Sequence, residues 1–323
     1  MGVYHLMGLG RSVGVVTGPL TYLAHRYQRW NADDRHFFAR SGEMTQRQHG
    51  EKVGDVQGLV LFTSREVLEG KTHAFGFVDN PPGRVAKGPG QKGGPIKDVL
   101  CKLLRCEWPA ISGGRRAGTI FWCEVDRRDI HRTYERVAQV VAALAGVGGQ
   151  GKEVWANLTG GNNVINIALE LTAMLSGDVA RLYYVQAENP DAEKCVRYTA
   201  ENGYWVELPV MPLTLGSLSQ IIIQLLAEKG PMELGYLYSI LRNDYWDLTR
   251  GVESEGILRD QYLAPLWRQG LVAETANGYI VGSQWELIRP YQESLQLARQ
   301  AGLSIERLAQ QEAWITRYEV VLK

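Results

Sequence analysis

Residues 153–177 read EVWANLTGGNNVINIALELTAMLSG, and this stretch decides the fold. EVWANLTG (153–160) is apolar almost throughout and reads as a buried strand, whereas NVINIALELTAMLSG (163–177) keeps helical spacing and closes on a glycine. Between them, Gly160 and Gly161 let the backbone turn tightly, and Asn162 and Asn163 open the helix with side chains suited to cap it. Strand, glycine turn and helix in that order make half of a βαβ unit.

The same alternation extends in both directions. VYHLMGLG (3–10), GLVLFTS (58–64), GTIFWCEVD (118–126), ARLYYVQ (180–186) and YWVELPV (204–210) read as strands. SVGVVTGPLTYLAHRYQRW and RRDIHRTYERVAQVVAALAG, which lie between strands, read as helices. Apolar strands alternating with helices predict a parallel sheet covered on both faces, an α/β Rossmann-like domain over residues 1–210.

Beyond the proline-marked VMPLTLG the pattern changes. SLSQIIIQLLAEKG, PMELGYLYSILRN and ILRDQYLAPLWRQG predict three short helices, and LVAETANGYIVG predicts a hairpin turning at Asn277 and Gly278. That order is the pattern of a winged helix-turn-helix over 213–282, with 283–323 expected as a short helical tail. Segment 80–116 stands apart: it is rich in glycine and proline and sets eight basic residues against two acidic ones. It reads equally as a solvated loop and as a positive patch for phosphates.

The 323 residues are 45% hydrophobic and 22% charged, with 35 basic residues matching 35 acidic ones, a composition that excludes low-complexity disorder. No apolar run reaches the roughly 20 residues of a membrane span, and the N-terminus lacks a secretory pattern. The expected location is the cytoplasm, with no membrane partner. Cys101, Cys106, Cys123 and Cys195 suit neither a disulfide framework nor zinc spacing, so no metal and no cofactor are expected.

A second glycine loop, GLGRSVG (8–14), lies where the first strand turns into the first helix. Its glycines are spaced G-x-G-x-x-x-G, which is not the dinucleotide fingerprint and disfavours a nicotinamide cofactor. Two such loops at the carboxyl ends of core strands would offer backbone amides to a polyanion.

Gly10, Arg11, Ser12, Val13 and Gly14 match the first-loop pattern, and Asn157, Thr159, Gly160, Gly161, Asn162 and Asn163 the second-loop pattern, of a known family. Over residues 1–210 the chain resembles the CARF proteins (CRISPR-associated Rossmann fold) of type III CRISPR-Cas systems. The resemblance implies antiviral defence, with a homodimer that binds a cyclic oligoadenylate second messenger through Gly10, Arg11, Ser12, Gly14 and the six second-loop residues. By family frequency the ring is the tetramer; Trp30, Phe62 and Tyr22 are aromatic candidates for its adenines.

Most such proteins carry an effector, often a ribonuclease with an Arg-then-His motif. Arg29 and His36 have that spacing but sit near the first helix, where chance explains it, and no fused effector is expected. Members without one resemble metal-independent ring nucleases or ligand-responsive transcription regulators. Ser12 and Arg11 are the catalytic candidates for ring cutting, although Asn163 replaces the family's second-loop lysine. Across 213–282 five basic residues face eight acidic ones, which argues against strong DNA binding and for a protein partner.

Overall fold

A computed structural model describes residues 3–29, 31–39, 56–74, 94–146, 151–188, 195–210 and 216–321. The chain divides into two compact units, Met1–Pro212 with Leu295–Lys323, and Leu213–Ser294.

The first unit is built on seven strands: β1 (Val3–Gly8), β2 (Val56–Thr63), β3 (Ala117–Glu124), β4 (Glu153–Asn157), β5 (Arg181–Ala187), β6 (Gly203–Leu208) and, from the C-terminal segment, β9 (Ile315–Val321). Their order across the sheet is β6-β5-β4-β1-β2-β3-β9. The five inner strands run parallel, whereas β6 pairs antiparallel with β5 and β9 antiparallel with β3. The inner order, β3-β2-β1-β4-β5, reverses direction between β1 and β4, which is the switch point of a doubly wound sheet. The five inner strands match the Rossmann-like reading, whereas β6, expected within the parallel sheet, runs antiparallel, and β9 adds a second antiparallel edge.

Helices cover both faces. On one, α1 (Gly14–Arg29) and α4 (Ile96–Ile111) pack together, and their Val16, Leu20, Leu100 and Leu104 share a core with Met7, Leu59, Leu61, Ile120 and Trp122. Alternate strand residues such as Leu6, Val60 and Phe121 are also buried, and the other helix pair, α5 (Ile130–Ala145) and α6 (Asn163–Ser176), packs against β1 and β4. Strands buried on both faces explain why each reads as a continuous apolar run. Asp129 and Asn162 cap α5 and α6 by accepting from the N–H groups of Arg132 and Ile165. Shorter helices α2 (Ala32–Ala39) and α3 (Arg65–Leu68) follow α1 and β2.

Two expectations are corrected. The part of segment 80–116 from Ile96 to Ile111 is the helix α4, with Ile96, Leu100, Leu103, Leu104, Trp108 and Ile111 buried on one stripe. Lys102 and Arg105 lie exposed on the outer side, as expected of the solvent face of an amphipathic helix, whereas Lys97 is half-buried with its ammonium 5.4 Å from the centre of the Trp122 ring. Arg84, Lys87 and Lys92 of the segment, with Trp30 and residues 211–215, lie outside the described residues. The tail is not helical throughout either, because residues 315–321 form β9. The edge of β3 presents unpaired amides and carbonyls, and the alternating ITRYEVV supplies them with partners while burying Ile315 and Val320.

The second unit has its own core of Ile222, Ile223, Leu226, Leu237, Leu241, Leu258 and Leu266. Helices Ser217–Lys229 and Leu234–Asp244 are followed by a third helical run over Glu255–Ile257, Leu258–Leu263 and Ala264–Arg268, whose middle part widens into a π-type turn. The hairpin β7 (Val272–Thr275) and β8 (Gly278–Val281) comes next, and Met232 and Tyr279 exchange backbone hydrogen bonds of 2.9 and 2.8 Å. Helix Ser283–Ala301 leads out of this unit, so its core continues past residue 282 through Trp285 and Ile288.

Candidate functional site

At the carboxyl edge of the sheet, the loops after β1 and β4 meet backbone to backbone at the switch point. A Cβ on Gly8 would lie 2.8 Å from both the Gly160 carbonyl oxygen and the Gly161 Cα, and one on Gly161 would lie 2.9 Å from the Gly8 Cα. Gly161 also has φ of +95°, a conformation that L side chains rarely adopt. The two loops thus close onto each other only because neither carries a side chain there.

Most polar groups of the second loop are spent on holding its shape. The Asn157 side-chain oxygen accepts from the Thr159 N–H at 2.6 Å, and the Thr159 hydroxyl accepts from the Val185 N–H at 2.8 Å. The Asn162 side chain caps α6, and Asn166 donates back to the Leu158 carbonyl at 3.3 Å. Gly160 is buried, where a Cβ would overlap Val15. Asn163 is exposed as the first residue of α6.

In the first loop, Gly10 has open space beside it, Arg11 is exposed and Ser12 is half-buried. The Ser12 hydroxyl folds back beside Gly14, 3.7 Å from where a Cβ would stand on that buried glycine. Three hydrogen bonds tie the neighbouring strand ends together: Leu9 N–H to Phe62 at 2.9 Å, the Thr63 hydroxyl to Leu9 at 2.8 Å and Val125 N–H to Thr63 at 2.8 Å.

Beside these loops opens a cleft of about 440 Å³. Its apolar lining, Leu9, Val67, Val125 and Ile165, is buried and comes from four different chain segments. Its polar lining is Gly10, Arg11, Ser64, Glu66, Thr72, Arg127 and Asn162. Of the sequence-predicted residues, Gly10, Arg11 and Asn162 reach this cleft, whereas Ser12, Gly14, Asn157, Thr159, Gly160, Gly161 and Asn163 support or flank it. Phe62 and Tyr22 are buried in the core and offer no face to a ligand.

Ser64, Glu66, Thr72 and Arg127 were missed by sequence reasoning. Ser64 directly follows β2, and Glu66 and Arg127 lie just past the ends of β2 and β3, so scanning every strand end, and not only the glycine-rich ones, would have found these three; Thr72 lies beyond α3. Glu66 is exposed; the Ser64 hydroxyl and its own backbone N–H hold its carboxyl below the usual range, assisted by Arg127 and Arg128. Neighbouring Arg65 turns away to a two-pronged pair with Glu124, both contacts 3.1 Å.

Beneath the second loop lies a buried polar pair. His5 Nδ1 and the Tyr183 hydroxyl are 2.7 Å apart, and burial, with help from the Arg181 charge, pushes the imidazole down to about 3. Burial also raises the Tyr183 phenol. Arg29, with Arg26, grips the buried carboxylate of Asp34 at 2.7 Å each, so it braces α1 against α2. Among the described residues no group of three or more His, Cys, Asp or Glu side chains is placed to hold a metal, and no helix is long and apolar enough to cross a membrane.

No family model matches the chain. An uncharacterized protein of Archaeoglobus fulgidus is 28% identical over 265 residues, covering 75% of this chain and 79% of its own length. Among solved structures, Enterococcus italicus Csm6 bound to cyclic hexa-2'-fluoro-hexa-dAMP aligns with 92% of this chain at 12% identity and a TM-score of 0.39. The chain spans 60% of the length of that Csm6 chain.

Proposed function

We propose that this protein is a CARF-type sensor that binds a cyclic oligoadenylate at the β1/β4 switch point, as a homodimer. The observation that carries this reading is the backbone contact of two glycine loops beside a cleft that carries both Arg11 and Arg127. Strand ends and the α6 N-terminus offer amides to phosphates, two guanidinium groups offset their charge, and the apolar lining suits a nucleobase. A cleft of about 440 Å³ suits a drug-sized part of a ring and not four or more nucleotides at once. A twofold pair of clefts would hold a ring of matching symmetry, the tetramer by preference.

Calorimetry with rings of three to six adenylates tests this. Binding at micromolar affinity or better is expected, and absence of heat with every ring overturns it. Heat with a linear dinucleotide instead would point to a nucleotide-binding function of another kind.

A second reading, metal-independent ring cutting, draws support from Arg127. The reaction needs a ribose hydroxyl in line with its phosphate and a cation for the charge that develops. Asn163 supplies no cation, and Arg127 and Arg11 both stand in the cleft. Ser12, the serine candidate, lies beside the cleft and not in its lining. Slow single-turnover cutting is the expected behaviour, weakened in Arg127→Ala, with 2',3'-cyclic phosphate ends on the products.

The second unit reads as a winged helix that contacts a protein partner. Arg250 pairs with Asp247 at 2.7 Å and Arg259 with Asp260 at 3.0 Å, which draws two of its few cations away from phosphate binding. A gel shift with duplex DNA at physiological salt, with and without ligand, tests the regulator alternative.

A further inference from the structure

Glu170 is the one charged residue among the 14 of α6. Ile165, Leu169, Thr172 and Ala173 are buried against the sheet, and a helix packed in this way ordinarily turns charged residues to its opposite side. Here the opposite side is Ile167, Leu171 and Met174, at the i, i+4, i+7 spacing of a second apolar stripe. Ile167 is 46% exposed and the other two are half-buried.

The apolar surface continues beyond the helix. α6 joins β4 to its parallel neighbour β5 and lies over that pair, which leaves β6, one strand further out, only partly covered on this side. Tyr183 is buried in the layer with Tyr22 and Leu23 of α1, so its neighbour Tyr184 faces the α6 side. The register sets Val206 opposite Tyr184 and Tyr204 opposite Gln186. On this face Tyr184, Val206 and Leu208 are half-buried and Tyr204 is 56% exposed.

Charge and position say what covers this face. Among the residues that α6, β5 and β6 turn to this side, Glu170 is the one charge, so the face complements neither a strongly basic nor a strongly acidic surface. A surface as neutral as itself fits it, and an isologous contact supplies one. The same helix begins at the cleft, where Asn162 and Ile165 are part of the lining. A twofold axis running along α6 sets two copies of the helix side by side with both N-termini at one end, and so places the second cleft alongside the first. One cleft of about 440 Å³ is too small for a whole ring, so the site is incomplete without that second copy. In extent the face is modest: helix and strand together span roughly 20 Å by 20 Å, a footprint of about 400 Å² per copy against the ~800 Å² per partner of a standard interface. The contact by itself is therefore weak, and a ring that fills both clefts makes up the difference.

We propose that the outer side of α6 and the adjoining face of β5 and β6 seat a second copy of this chain, and that the ring shared by the two clefts tightens this weak contact. The contact rests on the face itself, and the tightening rests on the oligoadenylate reading. By linkage, whatever factor the ring adds to the dimer is lost from ring affinity when the contact is broken.

Sedimentation of the intact protein over a range of concentrations, with and without cyclic tetra-adenylate, measures the contact. A dimer dissociation constant in the micromolar range, tightened about tenfold or more by the ring, is expected. Ile167→Asp and Tyr204→Asp change exposed positions on two different elements, and each should weaken the dimer about tenfold or more, and ring binding with it. Val321→Asp, at a residue 62% exposed on β9 at the opposite edge of the sheet, should leave both unchanged.

A chain that stays monomeric with and without the ring overturns the proposal. So does a dimer that both Ile167→Asp and Tyr204→Asp leave intact, since the face then has another occupant. Monomeric variants that bind the ring at full strength overturn the shared site and leave the oligoadenylate reading standing. If no ring binds while both variants abolish the dimer, the oligoadenylate reading fails and the contact stands.

Discussion

The hydroxyl of Thr159 accepts a hydrogen bond from the backbone N–H of Val185 at 2.8 Å, joining the glycine loop after β4 to the middle of β5. The Asn157 side chain completes the bracing by accepting from the Thr159 N–H. The second loop is therefore braced by the fold itself, which would lower the ordering cost of the proposed binding.

Thr159→Val keeps the volume and removes the acceptor, leaving the Val185 N–H without this partner. The expected cost is about 1–3 kcal/mol of stability. Affinity for cyclic oligoadenylate should fall with it, and Thr159→Ser should restore both. Chemical denaturation and titration of the three proteins check this; an unchanged Thr159→Val would show that the bond contributes nothing.

Gly161 carries two constraints at once, a positive φ and a Cα-to-Cβ clearance to Gly8 that a methyl group would violate. Gly161→Ala should cost about 1–3 kcal/mol through strain. Gly161→Asp adds a carboxylate near the phosphate-facing loop and should abolish ring binding. Gly10→Ala is the control, since nothing lies within 4 Å of that position and stability should scarcely change.

His5 makes stability depend on pH. Its imidazole is neutral in the fold, with a value near 3, against about 6.5 when unfolded. Below pH 6.5 the unfolded chain takes up a proton that the folded one refuses, so this contribution is complete above pH 6.5 and is lost as pH falls toward 3. At about 1.4 kcal/mol per unit, the loss reaches roughly 4 kcal/mol at the low end. Denaturant midpoints measured across that window should slope downward, and the slope should flatten in His5→Gln.

The C-terminal strand closes the open edge of β3. The Glu124 N–H donates to the Trp314 carbonyl at 2.7 Å, and Arg136 lies over the Trp314 ring at 5.3 Å. Truncation before residue 312 should expose the β3 edge and the Val320 contact with the core, lowering the melting temperature and causing concentration-dependent aggregation. Light scattering and thermal melts of the truncated and full chains decide it; a stable monomeric truncation would show the edge to be harmless.

The apolar runs and helical periods of residues 3–29, 118–145 and 153–177 were legible in sequence because each is a local pattern: a strand buried on both faces must be apolar, and an amphipathic helix must repeat every 3.6 residues. The glycine loops were legible for a similar reason, since tight turns at strand ends need residues without Cβ atoms. Helix α4 was legible too, in the spacing of Ile96, Leu100, Leu104 and Trp108, but the surrounding glycines, prolines and lysines masked it. What only the tertiary structure decided is which segments become neighbours. β9 comes from the far end of the chain to pair with β3, β6 turns antiparallel on the opposite edge, and Glu66 and Arg127 arrive beside Arg11 from strand ends that have no glycine motif. Those outcomes depend on which edge is left unpaired and which strands lie side by side, and a pairing energy between distant segments leaves no periodic mark on either of them.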